Sequence, residues 1–320
     1  MQKVIFTQSV GEHSAHAQIP KAPPVAERMQ VPHTKIPRWL KIQPRFGPNY
    51  HRVRSILKEH GLHSVCQEAS CPNIRECFDE GTATFMILGK HCTRSCNFCD
   101  VLKAHPTGLD LEEPERLATV VAKLELKQVV ITSVTRDDLP DGGASIFVET
   151  IKELRKRDTD VKVEFLIPDL RGNETALKSI LDSGVDVLAH NVETVGRLHK
   201  RVRGAMPKLE RSLGVLNFAH RYTPRPVIKS GMMVGLGETI DEIVELMQQV
   251  HDAGVDIFTI GQYLRPSAAH LPIEKYYIPE EFKELAQIGM KMGFGHVEAG
   301  PLVRSSYKAF NQSRELLEAN

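Results

Sequence analysis

The residues with the clearest capacity for chemistry are six cysteines, which are all the cysteines of the 320-residue chain and lie within residues 66–99. They form two triplets, with the spacings C-x4-C-x5-C at Cys66, Cys71 and Cys77 and C-x3-C-x2-C at Cys92, Cys96 and Cys99. Thiolate sulfur is the ligand that iron–sulfur clusters take. Three thiolates in a short loop leave one iron of a 4Fe–4S cluster open, so the second triplet predicts a cluster that can bind a further ligand.

Other uses of six cysteines fit this pattern less well. A zinc ribbon needs two C-x2-C knuckles, and only Cys96 and Cys99 form one. A disulfide scaffold is typical of short secreted chains, whereas these cysteines cluster in one segment of a long chain. A non-catalytic iron–sulfur electron carrier stays open as an alternative, although such a protein needs neither an open iron site nor the fold predicted below.

The composition is that of a globular protein, since 41% of the residues are hydrophobic and 25% are charged. The formal net charge of +1 gives no general attraction for nucleic acid, and no apolar run is long enough to span a membrane. The first residues do not have the pattern of a secretory signal. Clustered cysteines indicate a reducing compartment. We therefore expect a cytoplasmic protein, or an organellar one in a eukaryote, and we expect a monomer.

The segments that must position the cysteines alternate between strand and helix from residue 82 onward. Apolar runs predict six strands, at 82–88, 128–134, 161–167, 185–189, 227–234 and 255–260. Amphipathic spacing predicts helices at 49–60, 114–125, 143–157, 173–182, 207–219, 239–253 and 280–292, with Asn49 capping the first. Strands that alternate with helices form right-handed crossovers and a parallel sheet. The pattern predicts an α/β fold, a partial (β/α)6 TIM-type barrel.

The chain divides into four segments on this basis. Residues 1–35 contain several prolines and no apolar period, which predicts a flexible N-terminal arm. Residues 36–81 form an N-terminal extension that carries the first cysteine triplet. Residues 82–293 form the barrel, and residues 294–320 form a C-terminal tail.

Active sites of such barrels lie at the carboxyl ends of the strands. The second triplet follows the first predicted strand and so belongs to this end. Polar residues follow four further strands, at Ser133 and Arg136, Asp169, His190–Glu193 and Gly235–Glu238. Each alone is equally compatible with an ordinary loop residue, but as a set they indicate a polar site at the barrel mouth.

The segment Cys92-Thr-Arg-Ser-Cys96-Asn-Phe98-Cys99 resembles the cluster motif of the radical S-adenosylmethionine (SAM) enzymes, including the aromatic residue before the last cysteine. Other motifs resemble those of one family within that superfamily, the lipoyl synthases. They are His63-Ser-Val-Cys66 to Cys77, Gly81 to Gly89, Val130 to Val134, Arg136 to Gly143, His190 to Thr194, Met233 to Glu238 and Gly300 to Tyr307. The resemblance covers residues 37–309. One loop departs from the family pattern, because Val202-Arg203-Gly204-Ala205-Met206 lacks the usual proline.

The resemblance implies a sulfurtransferase that uses SAM and two 4Fe–4S clusters. The cluster on the second triplet would cleave SAM to a radical that abstracts hydrogen from an unactivated carbon. The auxiliary cluster on the first triplet would supply the sulfur, with Ser306 as its fourth ligand. In an extended tail Ser305 and Ser306 point to opposite sides, so only Ser306 is expected to face the iron. Because Ser306 must reach that cluster, the N-terminal and C-terminal extensions are expected to cover the barrel mouth. Contacts to SAM are expected from Thr132, Ser133, Asn191, Glu193, Arg203, Gly235, Gly237 and Glu238.

The implied substrate is an octanoyl chain in amide linkage to a lysine of a lipoyl carrier domain. Sulfur would be inserted at C6 and C8, with two SAM molecules consumed per lipoyl group. The implied partners are the E2 subunits of 2-oxoacid dehydrogenases, the H protein of glycine cleavage, an electron donor such as flavodoxin or ferredoxin, and an iron–sulfur cluster carrier. Another radical SAM enzyme that inserts sulfur from an auxiliary cluster stays open as an alternative.

Overall fold

The computed structural model describes residues 36–41, 47–80, 82–106, 108–157 and 160–319. The predicted arm, 1–35, lies outside the described residues. One sheet of eight strands, in the spatial order β1 to β8, organises the described part. The strands are β1 (His63–Ser64), β2 (Thr84–Ile87), β3 (Gln128–Ser133), β4 (Lys162–Leu166), β5 (Val187–Ala189), β6 (Val227–Val234), β7 (Ile257–Gln262) and β8 (His296–Gly300). All neighbours from β2 to β8 are parallel, and the short β1 pairs antiparallel to β2.

Helices of the described residues lie before, between and after the parallel strands, and those between β2 and β8 connect successive parallel strands. They are α1 (Pro48–Glu59), α2 (Val65–Glu68), α3 (Ile74–Asp79), α4 (Glu113–Leu124), α5 (Ala144–Arg157), α6 (Glu174–Asp182), α7 (Gly196–Arg203), α8 (Leu209–His220), α9 (Ile240–Asp252), α10 (Pro279–Met292) and α11 (Ala309–Ala319). Two short 3-10 helices lie at Arg38–Leu40 and Leu170–Gly172. No helix within the described ranges is long and apolar enough to cross a membrane.

Each of the six predicted strands is present, which confirms the partial barrel. The predicted helices are also present, but the predicted N-cap residue of the first helix, Asn49, was wrong. Gly47 is the N-cap of α1 and Pro48 occupies its first turn, where the missing N–H of proline costs nothing. The side chain of Asn49 instead donates to the carbonyl of Asp79 at 3.0 Å.

The sequence analysis missed the short elements β1, α2 and α3 around the first triplet, and it missed three later elements whose sequences have weak apolar periods. Helix α7 is largely basic, and its buried apolar residues are only Leu198 and Val202. Strand β8 has one fully buried residue, Val297, so it lacks the apolar run of a central strand. Helix α11 lies in the polar C-terminal segment. The predicted tail, 294–320, therefore contains a strand that extends the sheet and a helix.

Helix α11 closes the amino end of the barrel. Leu316 and Leu317 pack against a cluster of Val187, Val227 and Ile257, which are the first residues of β5, β6 and β7. The prediction placed the C-terminal extension over the barrel mouth, and for α11 that was wrong. The amino ends of these strands carry apolar side chains, and α11 removes them from water.

A buried ion pair crosses the barrel interior. The Nζ of Lys229 on β6 lies 2.8 Å from Oε1 of Glu164 on β4, and the two side chains are 0% and 1% exposed. The second carboxylate oxygen accepts a hydrogen bond from Gln128 Nε2 at 3.0 Å, and Gln128 in turn accepts one from Ser313 of α11 at 2.9 Å. A buried charge pair is tolerated only when its remaining hydrogen-bonding capacity is used. This chain of contacts ties α11 to the centre of the barrel.

We expect Lys229→Met to lower the free energy of unfolding by about 3–5 kcal/mol, because it leaves the Glu164 carboxylate buried without its cation. Urea unfolding followed by circular dichroism measures the change. The matched control is Lys152→Met, which removes an exposed lysine paired with Glu149 and should change stability by no more than about 0.5 kcal/mol. Equal destabilisation by the two substitutions would contradict a special role for the buried pair.

Candidate active site

The loop that carries the second cysteine triplet follows β2 and is fastened to neighbouring loops by backbone hydrogen bonds. The N–H of Cys92 donates to the carbonyl of Leu102 at 2.9 Å, and the N–H of Thr135, after β3, donates to Cys92 Sγ at 3.4 Å. At the other end of the loop, the N–H of Asn97 donates to the carbonyl of Val202 in α7 at 2.8 Å. These bonds place the loop at the carboxyl end of the barrel, as predicted.

Arg94 fixes the same loop through ion pairs with two aspartates, and we call these three residues the Arg94 clamp. This arginine lies between Cys92 and Cys96 and is 6% exposed. Its guanidinium donates to both carboxylate oxygens of Asp137, at 2.7 and 2.8 Å, and pairs with Asp169 Oδ1 at 2.6 Å. Burial alone would raise the pKa of Asp169, but the hydrogen bond and charge of Arg94 hold that pKa well below its usual range. The Arg94–Asp169 pair is therefore ionised at neutral pH.

The cysteines of the second triplet are close enough that neighbouring thiolates raise the thiol pKa of Cys96 and of Cys99. Burial raises the pKa of Cys99 to about 12, and the charges of Cys96 and Cys92 add to the rise. Burial also raises the pKa of Cys96, and the cation of Arg203 opposes it. Three mutually repelling thiolates become stable together only when a positive centre replaces their protons, which is how metal binding couples to thiol ionisation. The donor set therefore fits an iron–sulfur cluster.

The first triplet lines a cavity of about 280 Å³. Cys66 lies in α2, Cys77 lies in α3, and Cys71 lies between these helices. Burial raises the pKa of Cys66 to about 11 and that of Cys77 to about 12, and in both cases neighbouring thiols of the triplet contribute. Ser306 and Arg304, from the C-terminal segment, line the same cavity. The structure thus brings together the four predicted ligands of the auxiliary cluster.

Neither triplet is arranged as a zinc site. Across the described residues, no three His, Cys, Asp or Glu side chains are grouped as ligands of a single metal ion. A zinc ribbon requires such a tetrahedral group. A 4Fe–4S cluster binds each thiolate through a different iron, so its ligands surround a larger space than one ion needs.

The C-terminal segment is latched onto the N-terminal extension. Asn73 Nδ2 donates to the carbonyl of Leu302 at 2.7 Å, and the Tyr307 hydroxyl donates to Glu76 Oε1 at 2.9 Å. The segment also passes close to β7 at Gly261, where a Cβ atom would lie 2.1 Å from the carbonyl oxygen of Val303. Only glycine permits that approach. The contacts hold Ser306 beside the first triplet although it is distant in sequence.

The backbone at Ser306 differs from the prediction. An extended tail was expected, in which Ser305 and Ser306 face opposite sides. The structure instead has a turn, closed by a hydrogen bond from the N–H of Tyr307 to the carbonyl of Arg304 at 3.0 Å. Ser306 lines the cavity and Ser305 does not. The expected difference between the two serines is present, but a turn produces it.

Strand β2 separates the two thiol groups. Thr84, its first residue, lines the cavity of the first triplet, and Cys92 follows its other end. A strand of four residues spans roughly 13 Å.

Three of the residues predicted to contact SAM carry buried polar atoms without a hydrogen-bond partner in the described part of the chain. They are Ser133 Oγ, Asn191 Oδ1 and Arg203 Nε. An unpartnered buried polar atom costs free energy, so such atoms indicate a polar ligand. Glu193 lies next to this group, and its pKa is raised by burial despite the nearby charge of Arg203. These atoms have the chemistry to bond the amino, carboxylate and ribose groups of SAM, and their contact with SAM stays a prediction.

The remaining predicted contacts already have partners within the protein. The Thr132 hydroxyl donates to the carbonyl of Leu166 at 2.8 Å. The two carboxylate oxygens of Glu238 accept hydrogen bonds from the N–H groups of Gly235 and Leu236, at 2.5 and 3.0 Å. Gly235 and Gly237 have positive φ angles of 104° and 107°. The Glu238 carboxylate thus stabilises the turn in which it lies. Contact of SAM with Thr132, Gly235, Gly237 and Glu238 stays a prediction.

Arg203 is the last residue of α7 and does not lie in a loop as predicted. Its Nη1 donates to Ser212 Oγ at 3.2 Å, and Ser212 lies 2.9 Å from His190 Nε2. The other ring nitrogen of His190 lies 2.9 Å from the carbonyl of Ile167, which can only accept, so that nitrogen carries the proton. Burial lowers the pKa of His190 to about 4, so the ring is neutral and accepts from Ser212. His190 therefore positions Arg203.

Two profiles of known families match the chain. The radical SAM superfamily matches residues 86–250, and the N-terminal domain of lipoyl synthases of that family matches residues 9–71. Curated lipoyl synthases are similar over most of the sequence. The one from Rubrobacter xylanophilus is 51% identical over 279 residues, which cover 87% of this chain and 87% of the relative. The one from Symbiobacterium thermophilum is 51% identical over 293 residues, which cover 92% of this chain and 91% of the relative.

This chain belongs to the lipoyl synthase family. Membership confirms the predicted sulfurtransferase activity and its cofactors, SAM and 4Fe–4S clusters. Lipoyl synthases act on lipoyl carrier proteins and require a reductant. The profile of the N-terminal domain begins at residue 9, so part of the predicted arm belongs to a domain that the family shares.

Two solved structures share the fold of this lipoyl synthase family member at low sequence identity. Streptococcus suis SuiB bound to S-adenosylmethionine superposes with a TM-score of 0.53 at 12% identity, over 76% of this chain and 57% of that chain. HydG, a maturase of the FeFe-hydrogenase, superposes with a TM-score of 0.53 at 13% identity, over 78% of this chain and 65% of that chain. At these identities the likeness concerns the fold alone.

A buried carboxyl group supports the turn that leads from β2 to the second triplet. Glu113 is 3% exposed, and its Oε2 accepts a hydrogen bond from the N–H of Leu88 at 2.7 Å. Burial raises the pKa of Glu113 from 4.5 to about 7. The folded protein therefore binds this proton more tightly than the unfolded chain does. Its contribution to stability is complete below pH 4.5 and is lost as the pH rises to about 7.

We expect Glu113→Gln to remove that pH dependence, because glutamine accepts the same hydrogen bond and does not ionise. Between about pH 5 and pH 8, the parent should lose about 3 kcal/mol of unfolding free energy relative to the variant. Urea unfolding of both proteins across this range measures the difference. Glu112→Gln, which alters a side chain that is 87% exposed, is the control and should track the parent. Parallel pH profiles for parent and Glu113→Gln would refute the assignment.

Proposed function

We propose that the two cysteine triplets divide the work of lipoyl formation. Cys92, Cys96 and Cys99 would hold the cluster that binds SAM, and Cys66, Cys71 and Cys77 would hold the sulfur-donating cluster with Ser306. The observation that carries this proposal is the placement of two thiol groups at opposite ends of β2, only one of which shares a cavity with Ser306.

The bound cofactors supply reductive cleavage of SAM, a radical that abstracts hydrogen, and the sulfur atoms. The residues of the chain supply geometry and exclude water. Arg94 fixes the loop of the second triplet against Asp137 and Asp169. Ser133, Asn191 and Arg203 would bind the polar parts of SAM through their unpartnered atoms.

The proposed substrate is an octanoyl chain on a lysine of a carrier domain, with sulfur inserted at C6 and then at C8. A long lysine arm suits a site inside a barrel, because the acyl chain can enter while the carrier domain stays outside. The separation of the two thiol groups along β2 gives such a chain room to lie between them. The reaction would consume two SAM molecules per lipoyl group.

We further propose that the carriers are the E2 subunits of 2-oxoacid dehydrogenases and the H protein of glycine cleavage. Flavodoxin or ferredoxin would supply electrons, and an iron–sulfur carrier protein would restore the consumed cluster. These partners are proteins of reducing compartments, which supports a cytoplasmic or organellar location and agrees with the clustered cysteines. We propose that the enzyme works as a monomer.

The division of work is tested by replacing each triplet separately with alanine under anaerobic conditions. The change at Cys92, Cys96 and Cys99 should abolish 5′-deoxyadenosine formation while one cluster still assembles. The change at Cys66, Cys71 and Cys77 should leave SAM cleavage and abolish lipoyl formation on an octanoyl-lysyl peptide. Iron content, deoxyadenosine and peptide mass are measured together. Deoxyadenosine formation by the first variant would overturn the assignment.

Ser306 provides a finer test. We expect Ser306→Ala to cleave SAM but to insert little or no sulfur, because the auxiliary cluster loses its oxygen ligand. Ser305→Ala is the matched control, since its neighbouring hydroxyl does not line the cavity. Deoxyadenosine and lipoyl product are measured side by side for the two variants. Full lipoyl formation by Ser306→Ala, or a larger defect in Ser305→Ala, would contradict the assignment.

A further inference from the structure

Thr84 contacts two of the four proposed ligands of the auxiliary cluster. It is the first residue of β2, is 5% exposed and lines the cavity of the first triplet. Its Oγ1 donates a hydrogen bond to Ser306 Oγ at 2.8 Å. Its backbone N–H and its hydroxyl also contact the thiol of Cys66. Thr84 therefore connects Cys66 to Ser306, which lies 222 residues after Thr84 in the chain.

The hydroxyl of Thr84 has one proton and two possible acceptors. A serine oxygen bound to iron has lost its proton, so it can only accept, and Thr84 must then be the donor. The backbone N–H of Thr84 remains available to the sulfur of Cys66.

Burial and nearby charge make the hydrogen bond from Thr84 to Ser306 important. Burying a negatively charged oxygen without a donor costs several kcal/mol. Cys66, Cys71, Glu76 and Glu80 add negative charge that raises the pKa of Cys77, whereas the Arg304 cation acts mainly on Cys71. Hydrogen bonds to the ligands of an iron–sulfur cluster make reduction easier, because they stabilise the added electron.

We propose that Thr84 is a positioning residue for the sulfur-donating site, whose hydroxyl would hold the Ser306 oxygen in place as a ligand of the auxiliary cluster. The proposal rests on the assignment of that cluster to Cys66, Cys71, Cys77 and Ser306 made above. It explains why a polar residue begins an otherwise apolar strand.

The test compares Thr84→Val, which removes the hydroxyl at nearly constant shape, with Thr84→Ser, which retains it. Both are made in a background with Cys92, Cys96 and Cys99 replaced by alanine, so that only the auxiliary cluster contributes. The reduction potential of that cluster is measured by titration followed by electron paramagnetic resonance. We expect a more negative potential for Thr84→Val, and we expect Thr84→Ser to restore the parent value.

Thr82→Val is the matched control, because the Thr82 hydroxyl lies near the same cavity but donates to the carbonyl of Cys77, which is not a ligand atom. It should leave the potential unchanged. A parent potential in Thr84→Val, the same shift in Thr82→Val, or failure of Thr84→Ser to restore the potential would each overturn the proposal. Absence of any cluster in the background protein with Thr84 intact would instead overturn the assignment of the cluster to the first triplet.

A second measurement uses the enzyme with all six cysteines. Thr84 lies outside the loop of the second triplet, so Thr84→Val should still form deoxyadenosine. The number of lipoyl groups formed per deoxyadenosine should fall at least about tenfold, and Thr84→Ser should restore it. An unchanged ratio would count against the proposal even if the potential shifts. If Thr84→Val does not assemble the cluster, assembly by Thr84→Ser decides in favour of the hydroxyl, and failure of both decides against it.

Discussion

The central constraint on this molecule is the need to hold two groups of buried or half-buried thiols, whose thiolate forms repel one another, at fixed positions on one barrel. A thiolate triplet cannot stabilise its own site, because burial and like charge both favour the protonated form. The surrounding protein must therefore impose the geometry. It does so with strand β2, which places one group at its first residue and the other just beyond its last. The α/β barrel provides the rigid support for that strand.

Much of this arrangement could be predicted from the sequence, because local patterns carry it. Six apolar strands and the cysteine spacings were visible, as was the position of Cys92 after a strand. What the sequence could not reveal depends on contacts between distant segments. The latch from Asn73 to Leu302 and the close approach at Gly261 involve residues with no local pattern. For the same reason, α11 was missed as the cover of the amino end of the barrel.

Other residues were missed although a signal was present. Arg94 lies within the cysteine motif, and a buried arginine between two cluster ligands must have acidic partners. The sequence contains candidate carboxylates after β3 and β4, but only the fold selects Asp137 and Asp169. Thr84 is a polar residue at the start of an apolar strand. Such breaks in an apolar pattern are worth attention, because a strand that buries a hydroxyl usually has a use for it.

The two thiol groups differ in how firmly they are held, and the difference matches their chemistry. The Cys92 loop is fixed by a charged clamp through Arg94, which suits a cluster that must return unchanged after each reaction. The first triplet is closed by a turn whose Ser306 accepts a single hydrogen bond from the neutral hydroxyl of Thr84. A neutral bond is weaker than a charge-assisted one. Under the proposed assignment, the auxiliary cluster is dismantled for its sulfur and needs a ligand that can leave. Ser306 is held there through a neutral hydrogen bond.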